Sequence, residues 1–497
     1  MYSTGFDNDR YLELQSENIL KRIGMFENKL YLEFGGKLFD DYHASRVLPG
    51  FMPDTKVRLL KTLKDKAEIV IVINASNIDS SKAIGDSGIA YDDDVMRMID
   101  AFRAGGLYVG SVVISQYLGQ AAADNFKAHL EGRGVTVYVM HYIPESEYPS
   151  NIQLILSDNG YGNNDYIETT RPLVVLTAPG PGSGKMAACL SQLYHENKRG
   201  VKAGYAKFET FPIWNLPLKH MVNLAYEAAT ADLSDVTMID PFHLDAYGVS
   251  AVNYNRDIEV FPLLNAMFKR IWGESPYNSP TDMGVNMAGD CIIDEEVCAE
   301  ASKQEIIRRY FAVQRDYATG NGGKAAASKL ELLMSNIGIS PDERPPVRYA
   351  LQKAELTGGP CACIVLPDGT VVTGKTSSLL GASSAALLNA LKHLAGIGDK
   401  VPLIAPTVIE PIQKLKVGYL GNENPRLHTD EVLITLSICA PTNPMAELVL
   451  DQLPKLRNSE AHSSVILSQV DINVFRQLGV NITCEPVYQS EKLFHKS

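Results

Sequence analysis

The chain has 497 residues, of which 45% are hydrophobic and 21% charged, and its formal net charge is −12. Such a length predicts about three domains, and the composition is that of a globular protein without a membrane span. The acidic balance disfavours nucleic acid and anionic membranes as partners, because binding to either needs clustered basic residues.

Cysteine usage and the start of the chain predict where the protein resides. The seven cysteines are scattered, odd in number and without the spacing of a zinc site. Reduced thiols are therefore expected. The first residues show no basic leader followed by an apolar core. We expect a cytoplasmic protein.

Strands and helices alternate in the first third of the chain. Apolar runs predict strands at 68–74, 111–115 and 135–139, with helices at 92–104 and 119–131 between them. This alternation predicts a parallel sheet covered by helices.

A glycine-rich loop follows the next apolar run, 172–177, in the stretch TAPGPGSGK. Apolar positions beyond it predict a helix, so the loop would join a strand to a helix. Backbone N–H groups at a helix N-terminus form a natural anion site. The candidate phosphate-binding residues are Gly180, Gly182, Ser183, Gly184 and Lys185.

The loop matches two known phosphate motifs incompletely. The Walker pattern would need glycine at Pro179 and a hydroxyl residue at Met186 to hold magnesium, while the dinucleotide pattern would need glycine at Lys185. Glu209, after a predicted strand at 201–208, is spaced to bind a ribose hydroxyl. Asp240, after the apolar run 236–239, is placed for a metal–water contact. A bare structural turn remains the alternative.

A second cluster of polar residues lies in GGKLFDDYHASR, close to the N-terminus. Lys37, Asp40, Asp41, His43 and Arg46 fall within ten residues beside a Gly-Gly turn. His43 is a candidate for proton transfer, and Lys37 and Arg46 for substrate binding. A polar loop with internal ion pairs is equally consistent with the pattern.

Two further stretches carry candidate residues. His243 and Asp245 follow Asp240, and ligands of open α/β sheets bind at the carboxyl ends of strands. We take Asp240 and His243 as candidate catalytic residues. Asp282 and Asn286 lie in the irregular stretch SPTDMGVNMAGD and are candidates for substrate binding, as is Glu209; helix capping is the alternative.

The sequence changes character towards its C-terminus. Residues 256–315 have mainly helical patterns, 320–323 and 341–346 are linker candidates, and an Asp368-Gly369 turn predicts a hairpin before a helix at 383–395. We predict an α/β protein with two Rossmann-like parallel-sheet units (1–170 and 171–255), a helical segment (256–346) and a separate C-terminal α/β domain (347–497).

Four stretches together resemble one bacterial family. They are YLEFGGKLFDDYHASRVLPGF (31–51), TAPGPGSGKMAACLSQLYHE (177–196), SPTDMGVNMAG (279–289) and LPDGTVVTGKTSSLLGASSAALLNALKHLAG (366–396). The chain is identified by them as similar to the Domain of Unknown Function 1846 family over its full length. The resemblance implies a cytoplasmic bacterial protein with an α/β N-terminal part and a separate C-terminal domain, and it implies no particular activity.

The C-terminal part is also similar in layout to cytidine deaminases, which have a hairpin followed by a helix carrying a zinc ligand and a catalytic glutamate. The matching places here read Gly-Ala-Ser-Ser-Ala (381–385) and Ala-Pro-Thr-Asn-Pro-Met (440–445). Because every zinc ligand and the glutamate are missing, metal-assisted deamination is excluded at that site. Binding, dimerisation into a homo-oligomer or shaping a pocket remains for this domain.

Two classes of function fit these patterns. The first is an enzyme, of transferase or ligase type, that binds a phosphorylated small molecule or nucleotide at a P-loop-like site. The second is a non-catalytic ligand-binding or assembly protein. The sequence assigns no cofactor and no metal.

Overall fold

The computed structural model describes residues 4–27, 29–36, 38–39, 41–82, 89–144, 146–233, 235–398 and 400–489. Within these residues the chain divides into two compact units. The sheet unit is formed by the described residues of Thr4–Glu227 and Asp235–Ser302, and the C-terminal unit by those of Lys303–Ser497 with the short segment Ala228–Ser234. None of the helices in these residues has the length and apolar character needed to cross a bilayer.

The described residues contain twelve strands: β1 Leu30–Phe34, β2 Ala67–Asn74, β3 Val109–Tyr117, β4 Thr136–His141, β5 Leu173–Thr177, β6 Gly204–Phe208, β7 Thr237–Ile239, β8 Val252–Tyr254, β9 Cys361–Val365, β10 Val371–Lys375, β11 Glu460–Ser463 and β12 Asn481–Cys484.

The same residues contain twenty α-helices: α1 Asn8–Gly24, α2 Tyr42–Val47, α3 Thr55–Thr62, α4 Ala75–Asp79, α5 Tyr91–Ala104, α6 Ala121–Gly132, α7 Ile152–Ile155, α8 Lys185–Lys198, α9 Met221–Ala229, α10 Pro241–Tyr247, α11 Asn255–Trp272, α12 Pro280–Met283, α13 Glu295–Ala318, α14 Lys324–Ile337, α15 Pro345–Thr357, α16 Ala382–Leu394, α17 Pro406–Gly418, α18 Thr429–Cys439, α19 Pro444–Leu450 and α20 Gln469–Gln477.

The sheet unit is built on one six-stranded parallel sheet in the order β4-β3-β2-β5-β1-β6. All eight residues of β2 and all five of β5 are buried. Continuous apolar strands of this kind are typical of parallel sheets that helices cover on both faces. The predicted α/β class and the predicted strands at 68–74, 111–115 and 135–139 are confirmed.

The arrangement of the strands corrects two expectations. Strands from both predicted Rossmann-like series pair in a single sheet, because β1 inserts between β5 and β6. The second series was also expected to continue to Asp240, but β7 pairs antiparallel with β8 in a separate two-stranded sheet. Asp240 therefore does not lie at the end of a strand of the parallel sheet.

The C-terminal unit contains a four-stranded sheet in the order β10-β9-β11-β12. The predicted hairpin is β9 and β10, paired antiparallel, and the predicted helix is α16. Leu387 and Leu391 of α16 pack with Ile364 of β9 in one buried apolar cluster. Burial of this helix face and the adjoining sheet face forms the core of the unit.

Candidate functional site

The glycine-rich loop joins β5 to α8, which confirms the predicted strand–loop–helix connection. Gly182 has φ +74° and Gly184 has φ +87°, in the left-handed region that glycine adopts without cost. Gly184 is also the N-cap of α8, and it provides no side-chain hydrogen bond to the first turn. The N–H groups of that turn are thus left without a cap of their own, as at known anion sites.

The loop lies at the point where the connections of the sheet reverse direction. From β2 the chain continues to β3 on one side, and from β5 it continues to β6 on the other. In open α/β sheets the crevice at such a switch point, outside the carboxyl ends of the strands, is the usual ligand site. The glycine loop follows β5 directly and therefore borders this crevice.

Two buried side chains from neighbouring strands hold the loop from the sheet side. Asn74 Nδ2 donates to the backbone oxygen of Gly182 at 3.2 Å, and Ser115 Oγ donates to that of Ser183 at 2.6 Å. In a trans peptide the C=O and N–H point in opposite directions. The N–H groups of Ser183 and Gly184 consequently point away from Asn74 and Ser115, in a form suited to an anion.

Two further groups in the loop have no partner among the described residues. Lys185 is half-buried, and in the described part of the chain its ammonium forms no ion pair and no hydrogen bond. The Ser183 side chain is 2% exposed, and its hydroxyl has no hydrogen-bond partner among the described residues. Pro179 and Pro181, by contrast, carry no N–H.

A second group of candidate residues lines a cleft beside β6. The cleft encloses about 460 Å³, the solvent at its mouth included, and its walls include Lys207, Glu209, Thr281 and Asn286. Glu209 directly follows β6 and packs against Gly35, where a Cβ would lie 2.5 Å from Glu209 Cγ. Glycine at position 35 is what allows Glu209 to approach the end of β1.

Charges in the cleft are paired. Lys207 Nζ lies 2.7 Å from Asp257 Oδ2 and 3.2 Å from Glu209 Oε2. Burial raises the pKa of Glu209, Lys207 lowers it in part, and Asp257 raises it further. For Lys207, burial would lower the pKa, but Glu209 and Asp257 outweigh it and raise the pKa above its ordinary value. A perturbed carboxyl in a cleft is a candidate for proton transfer.

The candidate catalytic residue Asp240 caps α10 and is fully buried. Its Oδ1 accepts from the N–H groups of Phe242 and His243, and its Oδ2 accepts from Thr281 N and from Thr281 Oγ1 at 2.6 Å. Asp240 therefore reaches the cleft through Thr281, which lines it.

His243 and Asp282 belong to the same corner of the unit. His243 Nδ1 lies 3.1 Å from Ser279 Oγ and 3.6 Å from Asp282 Oδ1. Asp282 completes a capping box with Ser279 at the start of α12. The structure thus brings Asp240, His243 and Asp282 together in one network, adjoining the cleft.

His43 and Arg46 both lie on α2. The His43 ring lies edge-on against Phe211 and Tyr226, with ring centroids 5.3 and 5.4 Å away. Phe211 also lines the cleft, which places His43 behind its wall. Arg46 is half-buried. Lys37 and Asp40 lie outside the described residues.

The predicted site residues thus fall into two groups at one edge of the sheet. The glycine loop follows β5, and Glu209 follows β6, with β1 between these strands. Strands in a sheet are about 4.8 Å apart, so the two strand ends are separated by roughly 10 Å. No three His, Cys, Asp or Glu side chains among the described residues are grouped to hold a metal ion.

Sequence reasoning missed several residues of both groups. Asn74 and Ser115 hold the loop, and they lie at or near the ends of the apolar runs of β2 and β3. A polar residue at the end of an apolar run was the only sequence feature that pointed to them. Lys207 and Asp257 of the cleft come from two separate stretches. No local pattern links them, because tertiary packing alone brings them together.

Comparisons with known proteins give the same result along the whole chain. The family model "Domain of unknown function DUF1846, N-terminal" matches residues 4–338, and the C-terminal model of the same family matches residues 342–494. UPF0371 proteins of Streptococcus uberis and of Streptococcus pyogenes serotype M5 are each 58% identical over 496 residues, covering 100% of both chains. One from Streptococcus equi subsp. equi is 58% identical over 494 residues, covering 99% of this chain and 100% of its own.

Proposed function

Since the chain belongs to the DUF1846 family along its length, we propose from its own residues that it binds the phosphate group of a small molecule or nucleotide at the glycine loop. The observation that carries the proposal is the anchoring of the Gly182 and Ser183 carbonyls by Asn74 and Ser115. This anchoring points the N–H groups of Ser183 and Gly184 away from Asn74 and Ser115, at a switch point of the sheet. An oxyanion bound there can accept from both N–H groups.

Charge at the loop supports the same ligand. The N-terminus of α8 carries the positive end of the helix dipole, and the Lys185 ammonium adds a full charge that no described carboxylate neutralises. The acidic whole-chain charge does not oppose this, because local groups determine the potential in a pocket.

We further propose that the protein is an enzyme of transferase or ligase type whose reacting centre is the cleft. A ligand that places phosphate on the loop needs to span roughly 10 Å across the end of β1 to reach Glu209. Glu209, with its raised pKa, and Lys207 would then face the reacting end of the ligand. Lys185 would neutralise charge that develops on phosphate.

The structure favours neither of the two known motifs. In the dinucleotide fold the acidic residue follows the strand next to the loop strand, whereas here β1 separates β5 from β6. In an NTPase the metal-water carboxylate ends a strand of the main sheet, whereas Asp240 caps α10 and is occupied by hydrogen bonds. We therefore expect a phosphate site that is neither.

A non-catalytic ligand-binding role is the second candidate, and Met186 favours it. This residue occupies the first turn of α8, where a P-loop has the hydroxyl that holds magnesium. A thioether does not ligate a hard cation. If a phosphorylated ligand binds but the protein converts none of the ligands tested, the result supports the non-catalytic role over the enzyme.

The test is a thermal-shift screen of nucleotides, sugar phosphates and dinucleotides, followed by titration of the best ligand. A ligand at 100 times its Kd stabilises by about 2.7 kcal/mol. Lys185→Met should weaken binding about tenfold to a hundredfold, since a charged hydrogen bond contributes about 1.5–3 kcal/mol. Lys202→Met, at an exposed position after α8, is the control. Equal affinity in the wild type, Lys185→Met and Lys202→Met would refute the proposal that the glycine loop binds phosphate.

A further inference from the structure

A cleft in the C-terminal unit lies between the N-terminus of α16 and the segment that leads into α18. It encloses about 430 Å³, the solvent at its mouth included. Its walls contain Ser383, Arg426, His428 and Asp471. Among the described residues that line the cleft, Asp471 is the one carboxylate.

Backbone pairing directs the side chains of Arg426 and His428 to the same side. Leu427 forms a parallel bridge with Leu380, and its carbonyl accepts from Gly381 N at 3.3 Å and from Ser384 Oγ at 2.9 Å. Leu427 itself is 1% exposed and belongs to the core. Because side chains alternate in an extended segment, Arg426 and His428 face away from the core, and both line the cleft.

Arg426 retains donors for a ligand. Its Nε donates to the backbone oxygen of Ser377 at 2.8 Å, which fixes the plane of the guanidinium. The terminal nitrogens have no acceptor among the described residues. A guanidinium held in this way presents a fork of N–H groups that fits an oxyanion.

His428 is oriented by Asp471. His428 Nδ1 lies 3.0 Å from Asp471 Oδ2, and Asp471 Oδ1 accepts from Thr429 N and Thr429 Oγ1, both at 2.9 Å. Burial would raise the pKa of Asp471, but His428 and the other donors outweigh it and lower the pKa. An ionised Asp471 keeps the hydrogen on Nδ1, so Nε2 of the neutral ring is an acceptor, which suits the P–OH group of a hydrogen phosphate.

The N-terminus of α16 completes the site. This helix has 13 residues, and its N-cap, Gly381, provides no side-chain hydrogen bond. Ser383 lies in the first turn, is 4% exposed, lines the cleft, and has no hydrogen-bond partner for its hydroxyl in the described chain. The hydrogen-bonding capacity of this hydroxyl is therefore free for a ligand in the cleft.

We propose that this cleft binds a phosphate group, either inorganic phosphate or a phosphomonoester. Its charged oxygens accept from the N–H groups of the first turn of α16, from Ser383 Oγ and from the Arg426 guanidinium, and its P–OH group donates to His428 Nε2. The site is separate from the glycine loop, and the proposal is independent of the function proposed there.

The test uses the full chain with Lys185→Met, so that the glycine loop contributes little. Calorimetric titration with inorganic phosphate and, in parallel, with glycerol 3-phosphate distinguishes free phosphate from a phosphomonoester as the preferred ligand. We expect one saturable site for at least one of them. Arg426→Gln should weaken it about tenfold to a hundredfold, and Arg426→Lys should restore part of the affinity because it retains the charge.

Two further variants keep the outcome unambiguous. Ser383→Ala removes no hydrogen bond within the described protein, so it should fold normally and weaken binding severalfold. Lys414→Gln removes an equal charge from an exposed position on α17 and should change nothing. Two results would overturn the proposal. One is the absence of saturable binding to the Lys185→Met chain. The other is that Ser383→Ala and Arg426→Gln, made in that chain, bind phosphate as tightly as the chain without them.

Discussion

Ser115 Oγ lies 2.6 Å from the backbone oxygen of Ser183, so a side chain of β3 fixes the orientation of a peptide two strands away. Ser115→Ala removes this anchor without removing any group that would touch a ligand. We expect the affinity for the best phosphorylated ligand to fall about threefold to tenfold, as for the loss of one neutral hydrogen bond.

The control for this prediction is Ser111→Ala on the same strand. Ser111 is 1% exposed, and its hydroxyl has no partner among the described residues. Calorimetric titration of both variants measures the effect. If Ser115→Ala binds as tightly as Ser111→Ala, the orientation of the loop does not depend on this anchor.

Gly182 has φ +74°, and a Cβ placed there would meet nothing within 4 Å. Backbone strain, and not crowding inside the protein, is therefore the cost of a side chain at this position. We expect affinity to decrease in the order Gly182, Gly182→Asn, Gly182→Ala, Gly182→Val. Asn tolerates this conformation best, and a β-branched residue tolerates it least and obstructs the ligand.

Gly248 offers a matched control for that strain. It ends α10 with φ +66°, and it too has open space where a Cβ would be placed. Gly248→Ala should lower the free energy of unfolding by about 1–2 kcal/mol, as Gly182→Ala does, and leave ligand binding unchanged. Loss of binding in both variants would mean that general destabilisation explains the effect.

Asp41 forms an ion pair with Lys56 at 2.9 Å, and the Lys56 side chain is 2% exposed. Asp41→Asn leaves this ammonium buried without its counter-charge, and we expect a loss of about 3–5 kcal/mol in the free energy of unfolding at neutral pH. Asp54→Asn, at an exposed N-cap without a side-chain hydrogen bond, is the control and should cost far less.

Asp41 also predicts acid sensitivity. Burial would raise the pKa of its carboxyl, but Lys56 outweighs burial and holds the pKa below the ordinary value of 3.8. Because the folded pKa is lowered, the carboxylate stabilises the fold above pH 3.8, and this stabilisation is lost as the pH falls below that value. Urea unfolding across this range should show the loss in the wild type and not in Asp41→Asn; identical pH profiles would contradict the assignment.

Asp240 accepts four hydrogen bonds that position α10 and Thr281. Asp240→Asn cannot accept all four, and we expect a loss of about 1–3 kcal/mol in unfolding free energy. Asp245→Asn, on the exposed side of the same helix, should have little effect. A variant at Asp240 that keeps its stability but loses turnover of the ligand would assign the residue to the chemistry instead.

Local patterns predict those parts of the fold that depend on local interactions. The apolar runs of β2, β3 and β5, the Asp368-Gly369 hairpin and the connection from Thr177 to Lys185 each follow from a few neighbouring residues. Periodicity and turn preferences encode these features directly.

The pairing of distant strands has no such signature. β1 has only five residues, and nothing near it in sequence indicates insertion between β5 and β6. The run that precedes Asp240 has the same apolar character as a strand of the main sheet. Only its antiparallel pairing with β8 shows that it belongs to a different sheet. Lys207 and Asp257 of the cleft were missed for the same reason, because long-range packing brings them to the cleft.

The position of β1 also determines when the sheet can form during synthesis. Leu30 pairs with Leu173 and with Gly204, so β1 leaves the ribosome well before either of its neighbours exists. Strands β2, β3 and β4 are neighbours in sequence and can pair as they emerge, whereas β1 waits until residue 208 has been made. Such non-local pairing slows folding and leaves strand edges exposed meanwhile. The nascent chain is therefore most vulnerable to aggregation before β6 is complete.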